Sequence, residues 1–252
     1  HLRRASLHAK PVDFTLQKKS WKVLRAICEF SSEFAISHLA DIQALLAYAE
    51  MVGTSKLLVV KAMTQLMNPE QMQAWLQGRD KSFVSKISHP KQSVLTPLPT
   101  VVAGWKETSS KTRQAAADTL EAIGHALGAD KLIALLVIGL SSDDTHHKAA
   151  TISCFTLILQ RFPKELASLR NGQQLHSLLQ TATLLLDLQI PEVRGATLAF
   201  IRAAVKPTPV EILQKSLPTL LNKILSWPDT VKEKFMRDIR FLLEKFIKRL
   251  EY

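Results

Sequence analysis

The sequence predicts an all-α protein, an α-solenoid of antiparallel helix pairs. Three observations carry that expectation. One helical pattern is written at least four times, opening at Lys111, His147, Glu192 and Lys234. Each copy sets a basic residue in its first turns and then places small and large apolar residues at helical spacing. With Arg113, Lys148, Arg194 and Lys234 as register marks, the steps are 35, 46 and 40 residues, near the period of about 40–47 of stacked helix-pair repeats. The connections between these patterns are short, which makes successive helices antiparallel neighbours. No segment shows the two-residue alternation, bounded by hairpin turns, that marks strands. Such an array presents surface and encloses no pocket.

Taken in order, residues 1–15 form an irregular basic lead-in containing Pro11. Residues 16–30 read as a helix. Trp21, Leu24, Ala26, Ile27 and Phe30 supply its apolar face, and Lys18, Lys22 and Arg25 fall at i, i+4 and i+7 on another. Ser31 and Ser32 break it, and 34–51 forms the returning helix. Gly53 marks a turn, with Thr54 or Ser55 as N-cap, before a helix over 56–67. Pro69 sits where a helix start tolerates proline and opens a short helix to residue 77. Residues 78–98, with Pro90 and Pro97, lack apolar periodicity and read as a loop or insertion. It separates helix pairs over 16–77 from helix pairs over 99–252.

A short helix over 98–105 precedes the regular array at 111–127, 130–140, 145–162, 175–188, 191–205, 209–226 and 228–252. Proline opens the last three of these. Asp143, Asp144 and Thr145 form an acidic, cap-forming start that suits the helix dipole. The chain begins at His1, and Tyr252 ends a helix in mid-pattern, so the expectation is one part of a longer array.

Composition narrows the function classes. The longest apolar run, 132–140, is far below the roughly 18 residues of a membrane span. Cys28 and Cys154 both lie inside apolar helical patterns, as small core residues do, which argues against a disulfide framework. Net charge is +11, and it is uneven. Residues 1–25 carry seven basic and one acidic side chain, residues 26–55 four acids and no base, and residues 231–252 seven bases and four acids. Extended basic surface points to a polyanion such as RNA.

There is no phosphate-binding loop, no dinucleotide glycine motif, no metalloprotease His-Glu-x-x-His and no nucleophile elbow. His146 and His147 are adjacent, so their side chains diverge by about 100° on a helix and do not share a metal. Asp143 and Asp144 read as a cap, and His125 as a packed core histidine. The expectation is no catalytic residue, no metal, no cofactor and no small-molecule substrate.

The last helix carries most information. Phe235, Ile239, Leu242, Phe246 and Leu250 share one face, while Lys234, Arg237, Lys245 and Lys248 cluster opposite, with Arg249 at the margin. Phe241 lies among these cations. Such a surface can hold RNA backbone and stack a base. The competing reading is a solvated basic face with Phe241 covered by a following repeat. The Lys18, Lys22, Arg25 face has the same two readings. Trp105 and Trp227, near helix ends, read as packing between repeats.

Four segments resemble, in the same order, those of the ribosomal RNA-processing protein 12 family of HEAT-repeat proteins. They are Leu16-Gln-Lys-Lys-Ser-Trp-Lys-Val-Leu, Arg113 to Leu127 with its Ile-Gly-His-Ala-Leu close, Glu192-Val-Arg-Gly-Ala-Thr-Leu-Ala-Phe-Ile, and Lys234-Phe-Met-Arg to Phe246-Ile-Lys-Arg. The chain departs from the family at Leu250-Glu251, where a Phe-Gly pair is usual, and residues 78–98 have no clear counterpart. The resemblance implies a HEAT/armadillo-like fold and a non-enzymatic, karyopherin-like ribosome assembly factor of nucleus and nucleolus, shuttling to the cytoplasm with pre-ribosomes. It implies pre-ribosomal RNA, small-subunit assembly factors, Ran GTPase and nucleoporins as partners, and no membrane. On that reading the RNA contacts are Lys18, Lys22, Arg25, Lys234, Arg237, Phe241, Lys245 and Lys248. The alternatives are a karyopherin-type transport receptor and a protein-interaction scaffold, both without direct RNA contact.

Overall fold

The computed structural model describes residues 14–48, 53–77, 97–168 and 173–250. Their regular structure is all helical, with no strand among the described residues, and they fall into two compact units, 1–135 and 136–252. The first unit holds α1 (Phe14–Phe30), α2 (Ser32–Ser37), α3 (Leu39–Tyr48), α4 (Thr54–Met63), α5 (Pro69–Leu76), α6 (Pro97–Trp105) and α7 (Ser110–Leu127). The next helix, α8 (Ala129–Val137), crosses the division. Helix α4 packs between α1 and α7, making one row, and α5 and α6 lie against α7. Trp21, Leu24, Leu57, Val60, Leu120 and Ile123 are buried there. The buried Thr119 hydroxyl ties two members of the row by donating to the Leu57 carbonyl at 3.0 Å.

The second unit opens on a 3-10 turn (Ile138–Ser141) and continues with α9 (Thr145–Arg161), α10 (Pro163–Ser168), α11 (Gln173–Leu185), α12 (Pro191–Ala204), α13 (Val210–Leu225) and α14 (Asp229–Leu250). Helices α9, α12 and α14 form one row, and α11 and α13 a second row against it. Phe155 of α9 meets Phe200 of α12 edge to face, with ring centroids 6.2 Å apart. The four copies of the sequence pattern lie on α7, α9, α12 and α14. Within the second unit, the last three copies are the three helices that pack side by side.

The recurring basic residue has a structural use. Arg113 donates from Nη1 to the Glu107 and Thr108 carbonyls, both at 2.7 Å, just beyond the end of α6. Arg194 is buried; its Nε donates to the Leu186 carbonyl at 3.2 Å, beyond the end of α11. Its guanidinium lies 4.7 Å from the Trp227 ring centroid, a cation–π distance. Each satisfies backbone carbonyls in the turn between two helices. In α14 the role passes to Lys232, whose Nζ reaches the Leu225 carbonyl at 3.4 Å. Lys234, the register mark read from sequence, stays exposed.

Helix ends follow local chemistry. Ser109 caps α7 by accepting from the Thr112 amide, and Gly128, at φ 92°, closes it with a 2.8 Å bond to the Gly124 carbonyl. Asp144 caps α9 by accepting from the His146 amide at 2.9 Å, as its acidic start predicts. Gly139 is required by close approach: a Cβ there would stand 2.6 Å from Thr151 Oγ1.

Several expectations are corrected. The returning helix over 34–51 is two helices, α2 and α3, broken at His38, and residues 49–52 lie outside the described residues. Ser37 Oγ donates to the Phe34 carbonyl at 2.8 Å, and the His38 ring stacks on Phe34 at 4.1 Å, so local side-chain contacts compete with helix continuation. Gly53, not Thr54 or Ser55, is the N-cap of α4, which ends at Met63. Asn68 caps α5 through a reciprocal capping box with Gln71, beyond what Pro69 alone indicates. Helix α10 is absent from the sequence reading. Of Pro191, Pro209 and Pro228, only Pro191 lies in the first turn; Pro209 is the N-cap of α13, and Pro228 precedes α14. His125 is exposed, with Nε2 3.9 Å from Glu121 Oε1, and is no core residue. The loop expected over 78–98 lies outside the described residues as far as residue 96; Pro97 and Leu98 already belong to α6.

Candidate nucleic-acid interface

Helix α14 is laid down by its apolar stripe. Phe235, Ile239, Leu242 and Phe246 recur at i, i+4, i+7 and i+11 and are buried. That registration sends two other stripes outward. Lys234, Arg237, Phe241, Lys245 and Lys248, at i, i+3, i+7, i+11 and i+14, form an exposed line on one flank. Met236, Leu243, Ile247 and Leu250 lie on the other, with Met236 and Ile247 more than half exposed.

Contacts with α12 orient the flanks. Asp238 approaches Arg202 Nη1 at 3.7 Å, and Lys245 Nζ donates to the Arg202 carbonyl at 3.4 Å. Asp238, Phe241 and Lys245 share the side of α14 that looks toward α12. The Met236–Leu243–Ile247 stripe looks away from it.

Charge on this helix is only partly neutralised. Asp229 pairs with Lys232 at 2.9 Å, which holds the exposed carboxyl below its ordinary range by hydrogen bond and charge. Glu244 pairs with Arg240 at 3.0 Å, and Asp238 faces Arg202. Three of the helix's carboxylates are thus each engaged with a cation outside the Lys234–Lys248 line. Among the described residues, Lys234, Arg237 and Lys248 have no ion pair. The Arg237 guanidinium lies 5.5 Å from the Phe241 ring centroid, and Phe241 is 41% exposed.

The predicted cations on α1 stand differently. Lys18 and Lys22 are exposed, with Lys19 beside them, but Arg25 Nε pairs with Glu29 at 2.7 Å. The exposed apolar residues of α1, Leu16, Val23 and Phe30, run at seven-residue spacing on a stripe shared with Lys19 and apart from Lys18 and Lys22. The fold does not join the α1 cations to an aromatic as α14 does. Sequence reasoning missed Lys19, whose spacing from Lys22 was the available signal, and missed the Arg202 contacts, which depend on packing between helices.

Burial pushes the Cys154 thiol up to about 12, and burial with the Glu29 charge pushes Cys28 up to about 11, so neither is a thiolate near neutrality. Among the described residues no group of three His, Cys, Asp or Glu side chains is placed to hold a metal. No single described helix is long and apolar enough to cross a membrane.

No protein-family model matches the chain. The chain is 26% identical to the RRP12-like protein of Gallus gallus, over 98% of its own length and 18% of that protein. It is 23% identical to the putative ribosomal RNA-processing protein 12 of Schizosaccharomyces pombe, over 94% and 20%. With ribosomal RNA-processing protein 12 of Saccharomyces cerevisiae it shares 20% identity over 98% and 21%. The chain thus spans about a fifth of the length of the curated relatives it matches. A solved structure reported for TOG–tubulin binding specificity in microtubule dynamics and mitotic spindle formation superposes with a TM-score of 0.54. It has 13% identity and covers 87% of this chain and 79% of that one. That likeness speaks to the fold alone, an all-α solenoid of the HEAT kind. The chain is thus similar over nearly its whole length to three ribosomal RNA-processing protein 12 relatives.

Proposed function

We propose that the chain is a non-enzymatic scaffold segment of small-subunit ribosome biogenesis, holding pre-ribosomal RNA on basic helix faces and joining it to assembly factors. The observation that carries this reading is the likeness to ribosomal RNA-processing proteins along nearly the whole chain. The line of unneutralised cations on α14 supplies a surface for the task. Phosphate neutralisation releases counterions and needs no catalytic group. On this reading the segment works in the nucleus and nucleolus, supports pre-ribosomal RNA processing, and travels with the particle during export. Ran GTPase and nucleoporins are then partners of the longer protein.

The test is binding of this chain to small-subunit precursor RNA across a salt series. The expected result is affinity that falls steeply as salt rises. Absence of binding at low salt removes direct RNA contact from the proposal and leaves protein partners as the route by which the segment acts.

A further inference from the structure

We infer that the RNA segment held on α14 is single-stranded and stacks an unpaired base on Phe241. The inference rests on the RNA-holding reading above and adds the class of RNA and the residue that selects it.

Three observations lead there. Phe241 lies in register with four cations on one flank, in a line from residue 234 to residue 248 that runs about 21 Å at 1.5 Å per residue. Its exposure is not an open end of the array. Asp238 and Lys245, one on each side of Phe241 along the same flank, both reach Arg202 of α12. Any helix stacked onto α14 in continuation of the row would cover the Met236–Leu243–Ile247 flank instead. Arg237 lies over one face of the Phe241 ring, so the ring already holds a planar cation, and a base would stack on its other face or take the place of the guanidinium.

The chemistry favours an unpaired strand. A duplex presents phosphates and a groove, keeps its bases stacked on one another, and would use only the cations. A single strand offers the same phosphates and also a free π-face for the ring. Phe241 therefore contributes only when a base is available, while Lys234, Arg237, Lys245 and Lys248 contribute to either form.

The deciding experiment compares the whole chain with Phe241→Ala and Phe241→Leu, using a labelled unstructured oligoribonucleotide and a duplex RNA of equal length. Thermal unfolding followed by circular dichroism confirms that each variant is folded. Both variants are expected to weaken single-strand binding by about 5- to 150-fold, the range of one base–aromatic stack, with duplex binding and salt slope unchanged. Phe241→Trp is expected to retain single-strand affinity and to show emission quenched by the oligonucleotide. If the wild type binds single-strand and duplex RNA equally and both truncations leave affinity unchanged, the stacking role is overturned while RNA holding stands. If the wild type binds neither RNA at low salt, both readings fall.

Discussion

Helices α1 and α14 carry similar clusters of basic residues, yet the fold makes different surfaces of them. On α1, Arg25 is tied to Glu29, and the exposed apolar side chains stand apart from Lys18 and Lys22. On α14, three carboxylates are drawn to Lys232, Arg202 and Arg240, which leaves Lys234, Arg237 and Lys248 unpaired beside Phe241. Counting charges along a sequence weighs the two helices almost alike. Pairing decides how much of each charge reaches a ligand, because an exposed ion pair contributes little to stability yet still cancels field.

The largest effect expected from breaking this comparison is structural. Leu242 is fully buried beneath the cationic flank. Leu242→Ala should cost about 2–5 kcal/mol of stability, measurable by urea denaturation, and should abolish the ordered α14 surface before any charge is touched. An unchanged denaturation midpoint would show that α14 is not seated through this stripe. Next comes direct removal of charge. Reversing Lys234, Arg237 and Lys248 together to Glu should weaken RNA binding by at least about tenfold and reduce the salt slope by about 2–3. Reversing Lys18 and Lys22 should have a smaller effect. Equal losses from the two sets would erase the distinction between the helices.

The interior also holds two buried cations. Arg194 is bonded to the Leu186 carbonyl and stacked on Trp227. Lys56 of α4 is 3% exposed, and burial pushes its pKa down to about 8. The unfolded lysine keeps its proton to about pH 10.4. Between those values the unfolded chain binds the extra proton, so stability should rise with pH from about 8 to 10.4. Lys56→Met should flatten that rise and raise stability near neutrality by about 1–3 kcal/mol. A pH series of unfolding free energies for both proteins checks this, and parallel curves would contradict it.

What sequence could supply depended on how local each cause was. The apolar registers of α7, α9, α12 and α14 are set by each helix's own spacing, and the buried Phe235–Ile239–Leu242–Phe246 stripe follows from that spacing alone. The break at His38 comes from a ring stack and a hydroxyl contact that periodicity does not encode. His125 was placed in the core because it follows Gly124 in an apolar helix, while Leu120, Ile123 and Leu127 occupy the buried side. The basic residue that marks each repeat was legible, but its use at Arg113 and Arg194 was not, because its partners are carbonyls beyond the end of the preceding helix. For the same reason Lys234 served as a register mark while Lys232 holds the carbonyl contact.

The smallest expected effect is the sharpest test of pairing as the cause. Glu29→Gln leaves every cation of α1 in place and removes only the charge that holds Arg25. The loss of an exposed i, i+4 pair should cost no more than about 0.5 kcal/mol of stability. If pairing is what separates α1 from α14, the released Arg25 should strengthen RNA binding at low salt by a few-fold and increase the salt slope by about one. The increase should disappear when Lys18 and Lys22 are also reversed, since Arg25 and Lys19 then face two added carboxylates on the same helix. Unchanged affinity in Glu29→Gln, alongside a clear loss from the triple reversal on α14, would place the difference between the two helices in Phe241 and its neighbours instead of in charge pairing.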